Sequence, residues 1–195
     1  IKTPTTSICC YPKEEGFINS VAELARVSID DAGGLSANPK ILFSAHGIPK
    51  KFVETGDPYQ SHVEITVDTV VKKMAIQDLD YMVCYQSRVG PVEWLKPYTD
   101  HAITEFSAQG RPIVVVPVAF VSEHSETLVE LDMEYRDLAL KNGASAYVRT
   151  PTVGICDGFV EGLAALVRKS LGKNSVISSV ESRVCDQSCV SCPLS

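Results

Sequence analysis

The sequence has no run of about 18 or more apolar residues, the length a helix needs to cross a bilayer. It has no clustered basic stripe either. Its 18 Lys and Arg stand against 24 Asp and Glu, a net charge of −6, which excludes nucleic acid as a partner. No charged segment leads into an apolar one near the start, so no signal peptide is visible, and the opening at Ile1 suggests a piece of a longer protein. There is no internal repeat and no low-complexity block. Tryptophan occurs once and histidine four times. What is present, 45% hydrophobic and 22% charged over 195 residues, suffices for a sizeable core in one compact domain.

Hydrophobic spacing divides the chain into alternating elements. Phe17, Ile18, Val21, Leu24, Ala25 and Ile29 repeat at helical spacing, between Pro12 and Gly33-Gly34. Ile41 to His46 reads as the first strand, entered through Asn38-Pro39. Lys50 to Gln60 reads as a loop around Gly56-Asp57-Pro58-Tyr59, and Val63, Val67, Val70, Val71 and Met74 mark a helix after it. Tyr81 to Tyr85 is a second strand, followed by a loop from Gln86 to Trp94 and a helix near Asp100 to Gln109. Ile113 to Phe120 reads as a central strand. A long helix then runs to about Lys141, Ala146 to Arg149 forms a fourth strand, and Asp157 to Leu171 a closing helix. This alternation predicts an α/β fold, an open parallel sheet flanked by helices, over 1–171. From Gly172 the chain turns polar and serine-rich, an irregular tail over 172–195.

Four features carry chemistry. His46 ends an apolar strand and is followed by Gly47, which allows a ligand close to the backbone. Most strand-end histidines are structural, but the carboxyl edge of a parallel sheet is where ligands bind, and an imidazole titrating near pH ~6.5 accepts protons at neutrality. Glu126, Glu130 and Glu134 stand four apart, on one helix face. A solvated acidic face is the ordinary explanation, yet like charges at that spacing cost a helix about 0.2–0.5 kcal/mol per pair. A ladder beginning at a ligand edge is suited to relay protons or pass a divalent cation, and Glu123 and His124 are placed to join it. Trp94 and Phe120 fall on the same edge as His46, a wall for a flat ligand. Finally, Cys185-x3-Cys189-x2-Cys192 suggests thiolate ligation of metal in a reducing compartment, against an unligated tail. A fourth ligand is left open among Cys9, Cys10 and residues beyond the chain. His62 and His101 read as surface helix residues.

Taken together, Phe43-Ser44-Ala45-His46-Gly47-Ile48-Pro49, Gly56-Asp57-Pro58-Tyr59, Gln86-Ser87-Arg88-Val89-Gly90-Pro91-x-x-Trp94-Leu95-x-Pro97 and Val116-Pro117-Val118-Ala119-Phe120-Val121-Ser122-Glu123-His124-x-Glu126-Thr127-Leu128-x-Glu130-Leu131-Asp132 resemble ferrochelatase. The resemblance implies one of two Rossmann-like lobes that face each other across a porphyrin cleft, here the second lobe only. It implies insertion of Fe(II) into protoporphyrin IX, with His46 accepting pyrrole protons and Glu126 facing it across the ring. Glu130 and Glu134, with Glu123 and His124, would form the metal or proton path on a π-distorted helix, and Gln86, Trp94 and Phe120 would line the cleft. Cys185, Cys189 and Cys192 would belong to a [2Fe–2S] cluster. Implied partners are porphyrin, ferrous iron, the absent first lobe with its peripheral membrane contact, and a second copy in a homodimer. The location would be bacterial cytoplasm at the inner membrane or the mitochondrial matrix, and the piece alone would be inactive. Two other readings stay open: a chelatase for coproporphyrin or a cobalt corrinoid precursor, and a non-catalytic tetrapyrrole- or Fe–S-binding module.

Overall fold

Strand β2 (Lys40–His46) is buried from Lys40 to Ala45 and opens only at His46. In this computed structural model, which describes residues 3–194, β2 is one of the two inner strands of a four-stranded parallel sheet. Its neighbours are β3 (Tyr81–Gln86) on one side and β4 (Ile113–Pro117) on the other, with β5 (Tyr147–Arg149) outside β4. Side chains alternate between two cores, as a pleated strand requires. Ile41, Phe43 and Ala45 join Val114 and Val116 beneath helices α1 (Glu15–Asp31), α3 (Tyr59–Met74) and α6 (Asp157–Ser170). Leu42 joins Cys84, Ile113 and Val115 on the other face, with Ala102 and Ile103 of α4 (Thr99–Ser107). Leu131, from a π-helical segment (Glu126–Glu134), and Ala139, from α5 (Tyr135–Lys141), complete that second core. Each fully buried Leu, Ile or Phe contributes roughly 1.5–3 kcal/mol, so both faces hold the sheet rigid beneath its carboxyl edge.

Helix α1 begins at a cap made by Glu14, whose carboxylate accepts from the Gly16 and Phe17 amides at 3.1 and 2.7 Å. It crosses α6 so closely that a Cβ on Gly16 would overlap the Gly158 carbonyl oxygen. At the amino edge of the sheet the buried Lys40 ammonium is paired with Asp80 at 2.5 Å and lies 4.3 Å from the Phe106 ring centre. No helix among the described residues is long and apolar enough to cross a membrane.

Several boundaries differ from the sequence expectation. The span Lys50 to Gln60 is not one loop: α2 (Lys50–Glu54) occupies its first half and α3 starts at Tyr59. The turn chemistry sits between them, where Asp57 Oδ1 accepts from the Tyr59 amide at 2.8 Å. Strand β4 stops at Pro117, although the Val118 amide still reaches Ser44 O at 2.9 Å. The first strand is not Ile41–His46 but β1 (Ser7–Cys10), which pairs in parallel with β6 (Val176–Ser178) inside the tail. Two short strands at opposite ends of a chain carry no local signal of each other.

The strand order β3-β2-β4-β5 positions everything that follows. From β2 the chain moves outward to β3, then returns to the other side of β2 for β4. Diverging connections leave a crevice at the carboxyl ends of β2 and β4.

Candidate active site

His46 closes β2 at that crevice, and the chain leaving β4 carries Phe120, His124 and Glu126 over it. His46 Nδ1 and Glu126 Oε2 are 2.8 Å apart, with side chains 39% and 36% exposed. The two groups expected to face each other across a ligand therefore touch directly. A neutral imidazole donating from Nδ1 to this carboxylate keeps its Nε2 lone pair free. The backbone of His46 is fixed from below by Tyr59, whose hydroxyl donates to the His46 carbonyl at 2.7 Å. Burial first, and the Glu126 charge second, push the Tyr59 hydroxyl up to about 12, so it stays a donor. This gives the Gly56-Asp57-Pro58-Tyr59 motif its function: it turns the chain so that Tyr59 reaches back to β2.

The acidic ladder resolves into three environments. Bonded i to i+5, the π-helical segment takes roughly four to five residues per turn, which keeps Glu126, Glu130 and Glu134 along one side. Glu126 meets His46. Glu130 is saturated: it accepts from Gln86 Nε2 at 3.2 Å, the Ser87 amide at 3.0 Å, Ser87 Oγ at 2.5 Å and the Tyr135 hydroxyl at 2.9 Å. Glu134 is exposed at the far end. Ser87 holds a left-handed backbone, φ 63°, to present both its amide and its hydroxyl to Glu130.

Gln86 is almost fully buried and sits between Ser44 and Glu130 rather than on an open wall; Ser44 Oγ donates to its Oε1 at 2.8 Å. Behind Ser44, the Thr99 hydroxyl lies at 2.9 Å. This buried chain, Thr99–Ser44–Gln86–Glu130–Tyr135, was not foreseen, although a serine inside an apolar strand was its one available signal. Trp94 packs its ring on Gly47 and donates from Nε1 to Val89 O at 2.9 Å, which folds the loop after β3 back against the His46 turn. Phe120 is buried with its ring 5.1 Å from that of His124, and His124 Nδ1 accepts from the Glu126 amide at 3.2 Å.

Glu123 stands apart from this group. Arg149, 9% exposed, binds both its oxygens at 2.9 and 3.2 Å and also approaches Asp132 at 3.4 Å; the Thr152 amide adds a bond at 3.0 Å. Burial acts to raise the Glu123 carboxyl, but hydrogen bonds from Thr127, the Thr152 amide and Arg149 outweigh it and hold the group below the ordinary carboxylate range. His62 is half-buried rather than fully on the surface. It lines a cavity of about 220 Å³ with Cys9, Cys10 and Tyr59, and burial lowers its pKa against the opposing pull of Asp57.

A family model described as ferrochelatase matches residues 1–171. The chain belongs to the ferrochelatase family. It is 47% identical to the ferrochelatase of Rickettsia bellii over 189 residues, 95% of this chain and 52% of that one. It is 43% identical to that of Rickettsia typhi over 195 residues (98% and 55%), and 46% identical to that of Caulobacter vibrioides over 168 residues (86% and 48%). The chain thus spans about half the length of the curated ferrochelatases it matches.

The tail beyond the family match gathers Cys185, Cys189 and Cys192 into one packed group, 6%, 7% and 3% exposed, and no cysteine among the described residues is in a disulfide. Among the described residues no group of three or more His, Cys, Asp or Glu side chains is arranged to hold a metal ion. A [2Fe–2S] cluster asks for something else, four thiolates spread around a two-iron core. Three buried thiols in one loop supply three of those four donors.

Proposed function

We propose that this chain is the catalytic lobe of an enzyme that inserts Fe(II) into protoporphyrin IX, with His46 as the base. The observation that carries the reading is the 2.8 Å His46–Glu126 pair at the carboxyl ends of β2 and β4. Metallation exchanges both pyrrole N–H protons for one divalent cation. His46 Nε2 takes a pyrrole proton, and the imidazolium so formed is stabilised by the Glu126 carboxylate at Nδ1. Loss of the Nε2 proton to water, with Nδ1–H held on Glu126 throughout, restores the Nε2 lone pair for the second pyrrole proton.

Glu134 is the outermost carboxylate and the entrance for cation or exit for protons. Glu130, held by four donors, keeps the π-helical segment in register over β3. Gln86 supports Glu130, Phe120 backs the His124 ring from within, and Trp94 supplies apolar surface beside the dyad for a flat ring. Glu123 anchors the chain end from which His124 and Glu126 project. Cys185, Cys189 and Cys192 would hold a [2Fe–2S] cluster, which when bound supplies a redox-active thiolate cross-link.

The test uses the full-length protein, following loss of porphyrin fluorescence on metallation with protoporphyrin and with coproporphyrin. His46→Ala is expected to lower turnover by about 10²–10⁴-fold, the range for removing a general base, with porphyrin binding retained. Near-normal turnover would remove His46 from the role, and a preference for coproporphyrin would change the substrate.

A further inference from the structure

Between β4 and the π-helical segment the chain turns over the crevice, and His124 stands at the corner. The helical run begins at Ser125 and continues unbroken to Lys141, so His124 holds the capping position, where Ser, Thr, Asp and Asn are the usual residues. Its imidazole makes the capping bond: His124 Nδ1 accepts from the Glu126 amide at 3.2 Å. Thr127 answers it, with Oγ1 accepting from the His124 amide at 2.9 Å, while the His124 carbonyl accepts from the Leu128 amide at 2.9 Å. This is the reciprocal arrangement of a capping box, with a histidine where serine or threonine is usual.

The corner is held on both sides of the ring. The buried Phe120 ring lies 5.1 Å from it, Arg149 binds the preceding Glu123 at 2.9 Å, and the Gly154 amide donates to Val121 O at 2.9 Å. A ring nitrogen that accepts from an amide carries no proton, so the neutral imidazole keeps its proton on Nε2. A proton arriving at Nδ1 would face the Glu126 N–H, donor against donor. A cation taken at Nε2 by the neutral ring would move the ring proton to Nδ1 and produce the same clash. His124 can neither pass a proton from one ring nitrogen to the other nor ligate a cation without giving up the cap.

We propose that His124 is a positioning residue for Glu126 and stands outside the metal or proton path. Its Nδ1 fixes the Glu126 amide, and through that backbone the Glu126 carboxylate is aimed at His46 Nδ1, 2.8 Å away. The assignment rests on the His46–Glu126 reading above and deepens it. Two histidines on one crevice then have opposite duties: His46 uses Nδ1 as a donor and frees Nε2 for protons, whereas His124 uses Nδ1 as an acceptor and keeps its proton.

The experiment takes full-length protein and follows porphyrin metallation by fluorescence. His124→Leu, which fills part of the ring's place without an acceptor, should lower kcat by about 10–10²-fold, the cost of a misplaced catalytic group, with KM for porphyrin little changed. His124→Asn should restore most of that loss, because asparagine accepts from the amide two residues on and has no second ring nitrogen to hand a proton to. In wild type with labelled histidines, long-range proton–nitrogen correlation at pH ~8, above the ordinary histidine range, should show His124 as the Nε2–H tautomer, a readout that needs no variant to fold. Turnover in His124→Asn as low as in His124→Leu, or a wild-type His124 protonated at Nδ1, would overturn the assignment and return the ring to the path. Full turnover in His124→Leu would overturn it from the other side. Near-normal turnover in His46→Ala, with the His124 variants behaving as expected, would instead sink the dyad reading on which the assignment rests.

Discussion

Glutamates 123, 126 and 130 share a side chain and do three different things, because their partners differ. Glu126 meets an imidazole, Glu130 meets four neutral donors, and Glu123 meets a guanidinium nearly shut off from water. Glu123→Gln leaves Arg149 with its main counter-ion removed. Because the folded Glu123 carboxyl is held below its unfolded value, its contribution is fully present above the ordinary carboxylate range and is lost as pH falls through that range and below it. The difference in melting temperature between wild type and Glu123→Gln should therefore be largest near neutrality and shrink on acidification through pH ~4. A difference constant down to strongly acid pH would remove the ion pair as its cause. At this scale the sequence singles out His46, at the end of β2, and the three closely spaced tail cysteines as candidates, because each is chemically unusual where it stands. It does not single out Ser44, Thr99 and Tyr135, since hydroxyls become informative only when their partners are known.

Among the elements, the π-helical segment decides the site. Hydrophobic spacing alone reads it as the start of one long helix, because the periodicity of so few residues does not separate i to i+5 bonding from an α-helix; the family resemblance is what implied the π distortion. Leu131, wholly buried, anchors the segment in the core beneath β2 and β4. Leu131→Ala should cost about 2–5 kcal/mol in urea unfolding, the usual range for emptying a buried leucine site. A loss under about 1 kcal/mol would mean that the segment is held by its polar ties to β3 rather than by packing.

For the whole molecule, the relevant fact is that the chain spans about half the length of its ferrochelatase relatives. The dyad is more than a third exposed, and Leu128, Val129 and Met133 on the same segment present apolar side chains to solvent. We propose that this is the face a second lobe covers. The chain by itself should keep its parallel sheet in circular dichroism and show no measurable porphyrin metallation, and activity should return when the remaining half is supplied. Steady turnover by the chain alone would show that one lobe suffices.

The sequence by itself determined the faces of the sheet, the alternation of strand and helix, and the motifs that mark the ferrochelatase family. These are local properties: apolar period and turn residues act within a few positions of themselves. Tertiary structure alone decided that β2 lies between β3 and β4, that His46 touches Glu126, that Glu123 belongs to Arg149, and that Cys10 lies beside the tail. Periodicity specifies which side of an element is buried and leaves open what it is buried against. That choice is made by packing between residues up to the whole length of the chain apart.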